Sequence, residues 1–241
     1  MQPIRVLIAC EESQAVCKAF RERGHEAYSC DVQECSGGHP EWHIHGDCLP
    51  IINGHCTFVV QNGDIHTIDS EWDLLIAHPP CTYLTVSGNA YFNIEKYGDK
   101  ARERYRLRKE AADFFMSFIN ANCQRIAVEN PIGYMNTHYR KPDQIVQPYW
   151  FGHPFTKSTC LWLKNLPKLT PTDLLEKPES GWKNQLFDAN GHHGGYGGSW
   201  GKNPDGTWRR YGDPEVAKER SKTFPGFAEA MAAQWGAGDE N

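Results

Sequence analysis

The sequence predicts an α/β protein built on a doubly wound, mostly parallel β-sheet. Short, continuous apolar runs recur along the chain, and such runs are typical of strands buried on both faces of a parallel sheet. These runs alternate with helical segments such as residues 100–121, in which apolar side chains recur at a spacing of three and four residues. Strands that alternate with helices form units in which helices cover both faces of one sheet.

A strand and a helix open the chain. Residues 4–10 form a continuous apolar run, which predicts a buried strand. Ser13 is a favoured capping residue, so the next helix is expected to begin there and to stop at Gly24. Further short apolar segments predict the remaining strands of the sheet, at residues 26–30, 43–47, 72–77, 125–128, 144–149 and 159–163.

Three other segments interrupt or close this pattern. Residues 57–68 predict an inserted hairpin, because an Asn-Gly pair at its centre favours a two-residue turn. Residues 83–98 form a long loop with Gly and Asn, and long loops in compact domains are often functional. Residues 227–235 predict a closing helix.

Composition divides the chain into three parts. Residues 1–163 carry the strand and helix pattern and predict one catalytic domain. Residues 164–214 are rich in Gly, Pro, Asn and Trp, which predicts a small loop-rich lobe. Residues 215–241 contain the closing helix, which we expect to pack back on the first domain.

Composition also limits the classes of function. The chain has 241 residues with 39% hydrophobic content, and no apolar run approaches the ~20 residues of a membrane span, so a cytoplasmic protein without membrane contact is expected. Its nine cysteines are odd in number and form no CxxC pair, which argues against a disulfide framework and against a zinc site, so no metal is predicted. The net charge of −5 is not typical of a strong general DNA binder.

Two short motifs place reactive side chains after predicted strands. Residues 72–83 read WDLLIAHPPCTY and carry Cys81, and residues 128–131 read VENP and carry Glu129. Open α/β sheets hold their chemistry beyond the carboxyl ends of the strands. A thiolate can add to ring carbon 6 of a pyrimidine. A carboxyl group can hold ring nitrogen 3 and the exocyclic amine. The two motifs therefore predict covalent activation of a pyrimidine ring.

Each of these residues also has an ordinary structural reading. A cysteine is often a buried structural thiol, and a glutamate near a loop is often a solvated carboxylate. The prolines before Cys81 and the strand before Glu129 favour the functional reading of both residues. Glu129 must be protonated to donate a hydrogen bond to ring nitrogen 3, so we expect burial to raise its pKa. Asn130 is expected to fix its loop.

The turn after the first strand carries two acids, Glu11 and Glu12, ahead of Ser13. Acids favour a helix N-terminus through its dipole, but they repel a phosphate group. A cofactor with ammonium and sulfonium charges tolerates them, so the turn favours S-adenosylmethionine over NAD. Asp31 follows about 20 residues after the turn, a spacing that suits an acid that binds a ribose diol.

Taken together, these motifs resemble those of the DNA (cytosine-5) methyltransferases, and the chain also resembles compact methyltransferase-like proteins of phages and prophages. Residues 79–81 look like the PPC nucleophile motif of the family, and residues 129–131 look like its ENV motif with the valine changed. Further similarities to the GD motif, the segment before the QxRxR motif and the C-terminal GNS motif lie at residues 46–47, 151–154 and 221–223.

The resemblance implies a Rossmann-like, S-adenosylmethionine-dependent methyltransferase fold with a small loop-rich insertion. It implies methyl transfer to carbon 5 of cytosine in DNA, with Cys81 and Glu129 as the catalytic residues. The cofactor-binding residues that it implies lie near the ends of the first four strands of the sheet: Ala9, Cys10, Glu11, Ser13, Asp31, Val32, Asp47, Cys48 and Pro79. The substrate-binding residues that it implies are Pro80, Thr82, Asn130, Lys157 and Thr159.

The chain departs from the family pattern at several motifs. The turn after the first strand reads ACEES where the family has FxGxG, and Thr82 replaces the glutamine after the nucleophile. The QxRxR motif aligns with Phe155, Lys157 and Thr159, so one cation remains. Two alternatives therefore stay open. One is a methyltransferase-like nucleic-acid-binding protein with altered catalysis, and the other is a pyrimidine-modifying enzyme that acts on nucleotides or single strands.

Two surface features bear on the expected partner, which is DNA, either single-stranded or locally opened. A basic cluster in residues 100–109 is either a solvated helix face or a phosphate contact. Aromatic residues in the small lobe are either a local core or a stacking surface for bases: Trp182, Tyr196, Trp200 and Trp208. A monomer is favoured, although the sequence does not fix the oligomeric state.

Overall fold

A computed structural model describes residues 2–154, 156–178 and 222–237. The strands in this part of the chain are β1 (Arg5–Ala9), β2 (Glu26–Asp31), β3 (His43–His45), β4 (Cys56–Val59), β5 (Ile65–Ile68), β6 (Leu74–Ala77), β7 (Ile126–Pro131), β8 (Gln144–Val146) and β9 (Thr159–Lys164). The helices are α1 (Ala15–Glu22), α2 (Ile94–Tyr97), α3 (Asp99–Ile119), α4 (Met135–His138) and α5 (Pro225–Trp235). Residues 179–221, which hold most of the predicted small lobe, lie outside the described residues.

Seven of these strands form one sheet in the order β3-β2-β1-β6-β7-β9-β8. Neighbours from β3 to β7 pair in parallel, whereas β9 runs antiparallel to both β7 and β8. The chain builds outward from β1 to β3 and then returns to place β6 on the other side of β1. This reversal creates a switch point between β1 and β6, where open sheets form a crevice. The predicted mostly parallel, doubly wound sheet is confirmed.

The three central strands of the sheet end in register with one another. Ala9 of β1 pairs with Ala77 of β6, and Ala77 pairs in turn with Val128 of β7. The sequence predicts that β7 ends at Val128, and this boundary is wrong. The strand continues from Glu129 to Pro131 because the antiparallel partner β9 extends the ladder over the ENP motif. Glu129 therefore lies within a strand, one residue beyond the last pairing with β6.

Apolar side chains cover both faces of the sheet. Successive strand residues point to opposite faces, so Leu75 joins one hydrophobic cluster and Ile76 joins the other. On the first face, α3 contributes Phe115 and Phe118, which are fully buried. On the second face, α1 packs against α5, whose Trp235 is fully buried. Among the described helices, none combines the length and apolar character that a bilayer span requires.

The predicted inserted hairpin forms from β4 and β5, but its turn is longer than the two residues expected. The last pair of the ladder joins Val59 to Ile65. Gly63, with a φ of 97°, donates its backbone N–H to the carbonyl of Val60 at 2.8 Å and so closes the turn. Glycine adopts this conformation at little cost because it lacks a Cβ atom.

Candidate active site

Cys81 lies in an exposed position on the loop that follows β6. The segment from His78 to Pro80 leads from the buried strand to the surface, where Pro80, Cys81 and Thr82 are all exposed. The backbone carbonyl of Cys81 accepts hydrogen bonds from the N–H groups of Leu84 (2.9 Å) and Thr85 (3.0 Å). The loop therefore turns sharply after the thiol and presents it at the carboxyl edge of the sheet.

Two arginines of α3 donate hydrogen bonds to backbone carbonyls of this loop. Arg104 donates to the carbonyl of Thr82 at 3.1 Å, and Arg108 donates to the carbonyl of Tyr83 at 2.9 Å. Arg108 also donates to Oδ1 of Asn89 at 2.7 Å, farther along the same loop. These two cations of the basic cluster thus contact the protein itself.

The same loop is joined to the segment that follows β7. Tyr134 donates its N–H to the carbonyl of Leu84 at 2.6 Å, and Thr85 forms an isolated β-bridge with Gly133. A Cβ atom at Gly133 would lie 2.0 Å from the carbonyl oxygen of Leu84, so this contact requires glycine. The loops after β6 and β7 therefore form one connected surface.

Asn130 links the end of β7 to the segment after β6 through a buried hydrogen bond. Its side chain is buried, and its Nδ2 donates to the carbonyl of Pro79 at 2.8 Å. This bond joins the end of β7 to the proline segment before Cys81. Asn130 thus links the strand that carries Glu129 to the segment that leads to Cys81.

Glu129 points toward His78, whose Nδ1 lies 3.4 Å from its Oε2. The expectation that the pKa of Glu129 is raised is wrong. Burial acts in that direction and is the largest single influence, but the hydrogen bond and charge of His78, with the charge of Lys157, outweigh it and lower the pKa. Glu129 is therefore a carboxylate near neutral pH.

The sequence motifs do not single out His78, which contacts Glu129 in the structure. The residue lies directly between a buried strand and two prolines, and its side chain is about 10% exposed. The signal in the sequence is a titratable residue at a predicted strand end, shortly before the predicted nucleophile.

The turn after β1 departs from its predicted capping. Ser13 was expected to cap α1, but the helix begins at Ala15 and no side-chain cap is formed at its N-cap residue. Instead, the carboxylate of Glu11 accepts hydrogen bonds from the N–H groups of Val16 (2.7 Å) and Cys17 (3.2 Å). Glu11 is buried, and burial is the main cause of its raised pKa. Its carboxylate therefore faces the helix N-terminus.

The predicted cofactor residues line the ends of β1, β2 and β3. Cys10 follows β1 with a φ of 61°, the left-handed region that favours glycine. The carboxylate of Asp31 at the end of β2 accepts from the N–H of Gln33 at 2.9 Å, and Val32 beside it is 73% exposed. Asp47 is exposed, and its carboxylate accepts from the backbone N–H two residues further on.

This edge fits S-adenosylmethionine in its chemistry. The carboxylate of Asp31 retains capacity to accept hydrogen bonds from a ribose diol. An exposed apolar side chain, Val32, adjoins it and offers a surface for an adenine ring. Ala9 and Cys48 are buried behind this edge. No group of three or more metal-ligating side chains occurs within the described residues.

The segment before β9 brings two further predicted residues to the β7 end. The charge of Lys157 lowers the pKa of Glu129, and its Nζ lies 5.8 Å from the ring centre of Phe224. Thr159 is buried at the first position of β9, where its hydroxyl donates to the carbonyl of Lys157 at 3.3 Å. Phe155 lies outside the described residues.

The sheet order and the site together define the class of fold. The order β3-β2-β1-β6-β7-β9-β8, with β9 reversed, is that of the Rossmann-like methyltransferase fold. The predicted fold class is therefore confirmed. No protein-family model matches the chain, and no curated protein sequence matches it.

Three solved structures are similar to this chain at low sequence identity. They are the Dnmt2 methyltransferase of S. pombe, an rRNA methylase from Escherichia coli and the methyltransferase EhMeth of Entamoeba histolytica. Their TM-scores are 0.40, 0.33 and 0.40, and their identities are 14%, 14% and 16%. The similar regions cover 68%, 67% and 78% of this chain. They cover 50%, 57% and 61% of the three proteins, so this chain spans less than two thirds of their length.

Proposed function

We propose that this chain transfers a methyl group from S-adenosylmethionine to carbon 5 of cytosine in DNA, through a covalent adduct with Cys81. One observation carries the proposal. An exposed Cys81 follows β6, the carboxylate of Glu129 belongs to the neighbouring parallel strand β7, and the hydrogen bond from Asn130 to Pro79 joins the two segments. A nucleophile and a base-binding acid in this relation suit attack on a pyrimidine ring.

The chain supplies the groups that activate the ring. The thiolate of Cys81 adds to ring carbon 6, which makes carbon 5 nucleophilic. S-adenosylmethionine, when bound, supplies an electrophilic methyl group. A base then removes the proton from carbon 5, and Cys81 leaves with the electron pair of its bond to carbon 6. A target base in a duplex must leave the stack before Cys81 can reach it.

Glu129 selects the edge of the base. A carboxylate accepts a hydrogen bond from the exocyclic amine of cytosine, which uracil and thymine lack. His78 and Lys157 lower the pKa of Glu129 and so keep it in this accepting form. The resemblance implies that Pro80, Thr82 and Lys157 contact the substrate.

The cofactor is expected at the ends of β1, β2 and β3. Asp31 would accept hydrogen bonds from the ribose diol, and Val32 would contact the adenine ring. Asp47 would hold the adenine amine. Glu11 contributes indirectly in this scheme, because it fixes the start of α1.

Single-stranded or locally opened DNA fits the site better than a closed duplex. Phosphate contacts make DNA binding strong and salt-dependent, and they need available cations. Arg104 and Arg108 donate to the loop that carries Cys81, and the net charge of the chain is −5. We therefore expect modest affinity with a shallow dependence on salt. The same observations favour a second candidate, an enzyme that modifies a pyrimidine in a nucleotide or a single strand.

Methyl-labelled S-adenosylmethionine tests this proposal directly. The protein is incubated with separate pools of duplex DNA, single-stranded DNA, RNA and nucleotides, and the labelled base is identified after digestion. We expect 5-methylcytosine in DNA for the wild type and none for Cys81→Ser. Cys56→Ser, on the β4 strand of the hairpin, is the matched control and should label DNA normally.

The pools also separate the alternatives. Label in nucleotides alone would favour the second candidate. Binding of DNA without label in any pool would identify a methyltransferase-like binding protein. Full activity of Cys81→Ser would overturn the covalent mechanism for every substrate.

A further inference from the structure

The imidazole of His78 lies at the switch point of the sheet, between acids from two neighbouring strand ends. Its backbone N–H donates to the carbonyl of Ala9 at 2.9 Å, which fixes it against β1. Its Nδ1 lies 3.4 Å from Oε2 of Glu129 on the β7 side. From the β1 side, the charge of His78 partly offsets the rise in the pKa of Glu11 that burial causes.

The second ring nitrogen of His78 is a buried polar atom that makes no hydrogen bond to any residue the structure describes. A buried polar group left in this way costs roughly 1–3 kcal/mol, so its retention calls for an explanation beyond stability. A leucine or alanine at this position would avoid the cost. The chain instead places a titratable ring next to the acid that faces the substrate.

The ionised state of Glu129 leaves one chemical requirement unmet. A carboxylate binds the exocyclic amine of cytosine, but it has no proton to give to ring nitrogen 3. That nitrogen gains electron density when a thiolate adds to carbon 6. A proton donor within reach of Glu129 is therefore needed.

We propose that His78 holds this proton and delivers it to ring nitrogen 3 through Glu129. The inference rests on the proposed function, since it concerns the same cytosine and the same thiolate. His78 is a positioning residue in this scheme, because it acts on the substrate only through Glu129.

The step balances in atoms and charge. As the sulfur of Cys81 bonds to carbon 6, the carbon 5–carbon 6 π pair moves to the carbon 4–carbon 5 bond. The carbon 4–nitrogen 3 π pair moves onto nitrogen 3. One proton passes from His78 to Glu129 and one from Glu129 to nitrogen 3. The thiolate loses its negative charge and the imidazolium loses its positive charge, while Glu129 ends as a carboxylate. When the product forms, the proton returns from nitrogen 3 through Glu129 to His78.

Charged groups of three elements lie around this pair. Glu11 belongs to the turn after β1, Glu129 belongs to β7, and Lys157 belongs to the segment before β9. Lys157 and His78 both lower the pKa of Glu129. A measured pH profile of the adduct step therefore reports on the arrangement as a whole.

His78→Asn is the most direct test, because an asparagine amide can occupy the place of Nδ1 and donate to Glu129 without a transferable proton. The rate of adduct formation with a 5-fluorocytosine oligonucleotide is measured in single turnovers across pH. We expect a loss of about 100-fold, within the range for general acid catalysis, and a flattened pH profile. Oligonucleotide and S-adenosylmethionine binding should remain within about two-fold of the wild type, since the step comes after binding.

His55→Asn is the matched control, because His55 faces Glu71 at 3.9 Å in an exposed position with the same pair of residue types. It should keep the wild-type rate and pH profile. His78→Gln provides a second variant, so that a folding defect in one variant does not decide the result. Wild-type rates with an unchanged pH profile in either folded His78 variant would overturn the proposal.

A measurement without substrate separates this inference from the proposed function. Carbon-13 NMR of the Glu129 carboxyl group follows its titration in the resting protein. His78→Asn should raise the pKa of Glu129, because the charge of His78 is a cause of its depression. An unchanged pKa would overturn the pairing. A wild type that methylates no cytosine would overturn the proposed function and with it the delivery of a proton to cytosine, while this titration still decides whether the pair exists.

Discussion

The proposed catalytic and cofactor ends of the sheet edge hold their polar side chains in different ways. Beyond β6 and β7, side chains reach across to a neighbouring strand end, as Asn130 does to Pro79 and His78 does to Glu129. Beyond β1, the carboxylate of Glu11 turns back onto the helix that follows it. The side-chain contacts of Asn130 and His78 thus join residues 51 positions apart, whereas the carboxylate of Glu11 contacts backbone groups five and six positions further on.

The two ends also differ in how closely their sequences match the motifs that the chain resembles. At the catalytic end, Glu129 and Asn130 contact His78 and Pro79, which precede Cys81. At the cofactor end, Cys10 adopts the left-handed conformation itself at a φ of 61°, so the turn forms without the glycines of the family pattern. The cost of such a conformation for a residue other than glycine is of order 1–3 kcal/mol, and buried neighbours such as Cys30 and Cys48 hold it in place.

The largest effect is expected from Glu129→Gln at the catalytic end. The amide cannot carry the negative charge or pass a proton, so the single-turnover rate should fall by about 10²–10⁴-fold. Glu71→Gln, at an exposed acid that follows β5, is the control and should be fully active. Retention of most of the activity by Glu129→Gln would remove the acid from the mechanism.

At the cofactor end, Asp31→Ala should weaken binding of S-adenosylmethionine by roughly 10- to 100-fold, the value of hydrogen bonds to a charged group. Isothermal calorimetry measures the affinity, and a smaller ligand-induced rise in melting temperature should accompany it. Asp64→Ala, in the exposed hairpin turn, is the matched control. Equal affinities for all three proteins would show that the ribose is held elsewhere.

Asn130→Ala should lower stability as well as activity. The change removes the donor to the buried carbonyl of Pro79, and an unsatisfied buried group costs about 1–3 kcal/mol in the free energy of unfolding. Urea denaturation measures this cost, and Asn122→Ala, whose side chain donates to an exposed glutamate, should cost much less. Equal losses in the free energy of unfolding for the two variants would contradict the claim that the Asn130 side chain stabilises the link between β7 and the Pro79 segment.

The smallest expected effect distinguishes Glu11 from Ser13 as the residue that caps α1. Glu11→Ala should lower the free energy of unfolding by about 0.5–2 kcal/mol, whereas Ser13→Ala should change it by a few tenths. Burial raises the pKa of Glu11, so its stabilising contribution is complete below its ordinary pKa of 4.5 and declines as the pH rises through the raised value. The loss in Glu11→Ala should therefore shrink with rising pH. A larger loss in Ser13→Ala would restore the cap expected from the sequence.

The sequence predicts the sheet and the strand-end motifs because these depend on local patterns. Apolar runs such as Leu74–Ala77 identify buried strands, and the residues that follow them are read directly from the chain. The state of Glu129 depends on His78 and Lys157, which are brought to it only by the fold. In the same way, β7 extends to Pro131 because of its distant partner β9, which no local pattern near the ENP motif shows.

The most direct test of the central claim is to trap the adduct between Cys81 and cytosine. The protein is incubated with S-adenosylmethionine and single-stranded DNA that carries 5-fluorocytosine, where fluorine blocks the final elimination. Intact-mass and peptide mass spectrometry then locate the modification. We expect one methylated fluorocytosine adduct on Cys81 and none in Cys81→Ser. A wild-type protein that methylates ordinary cytosine without forming this adduct, or an adduct on another cysteine, would contradict the central claim.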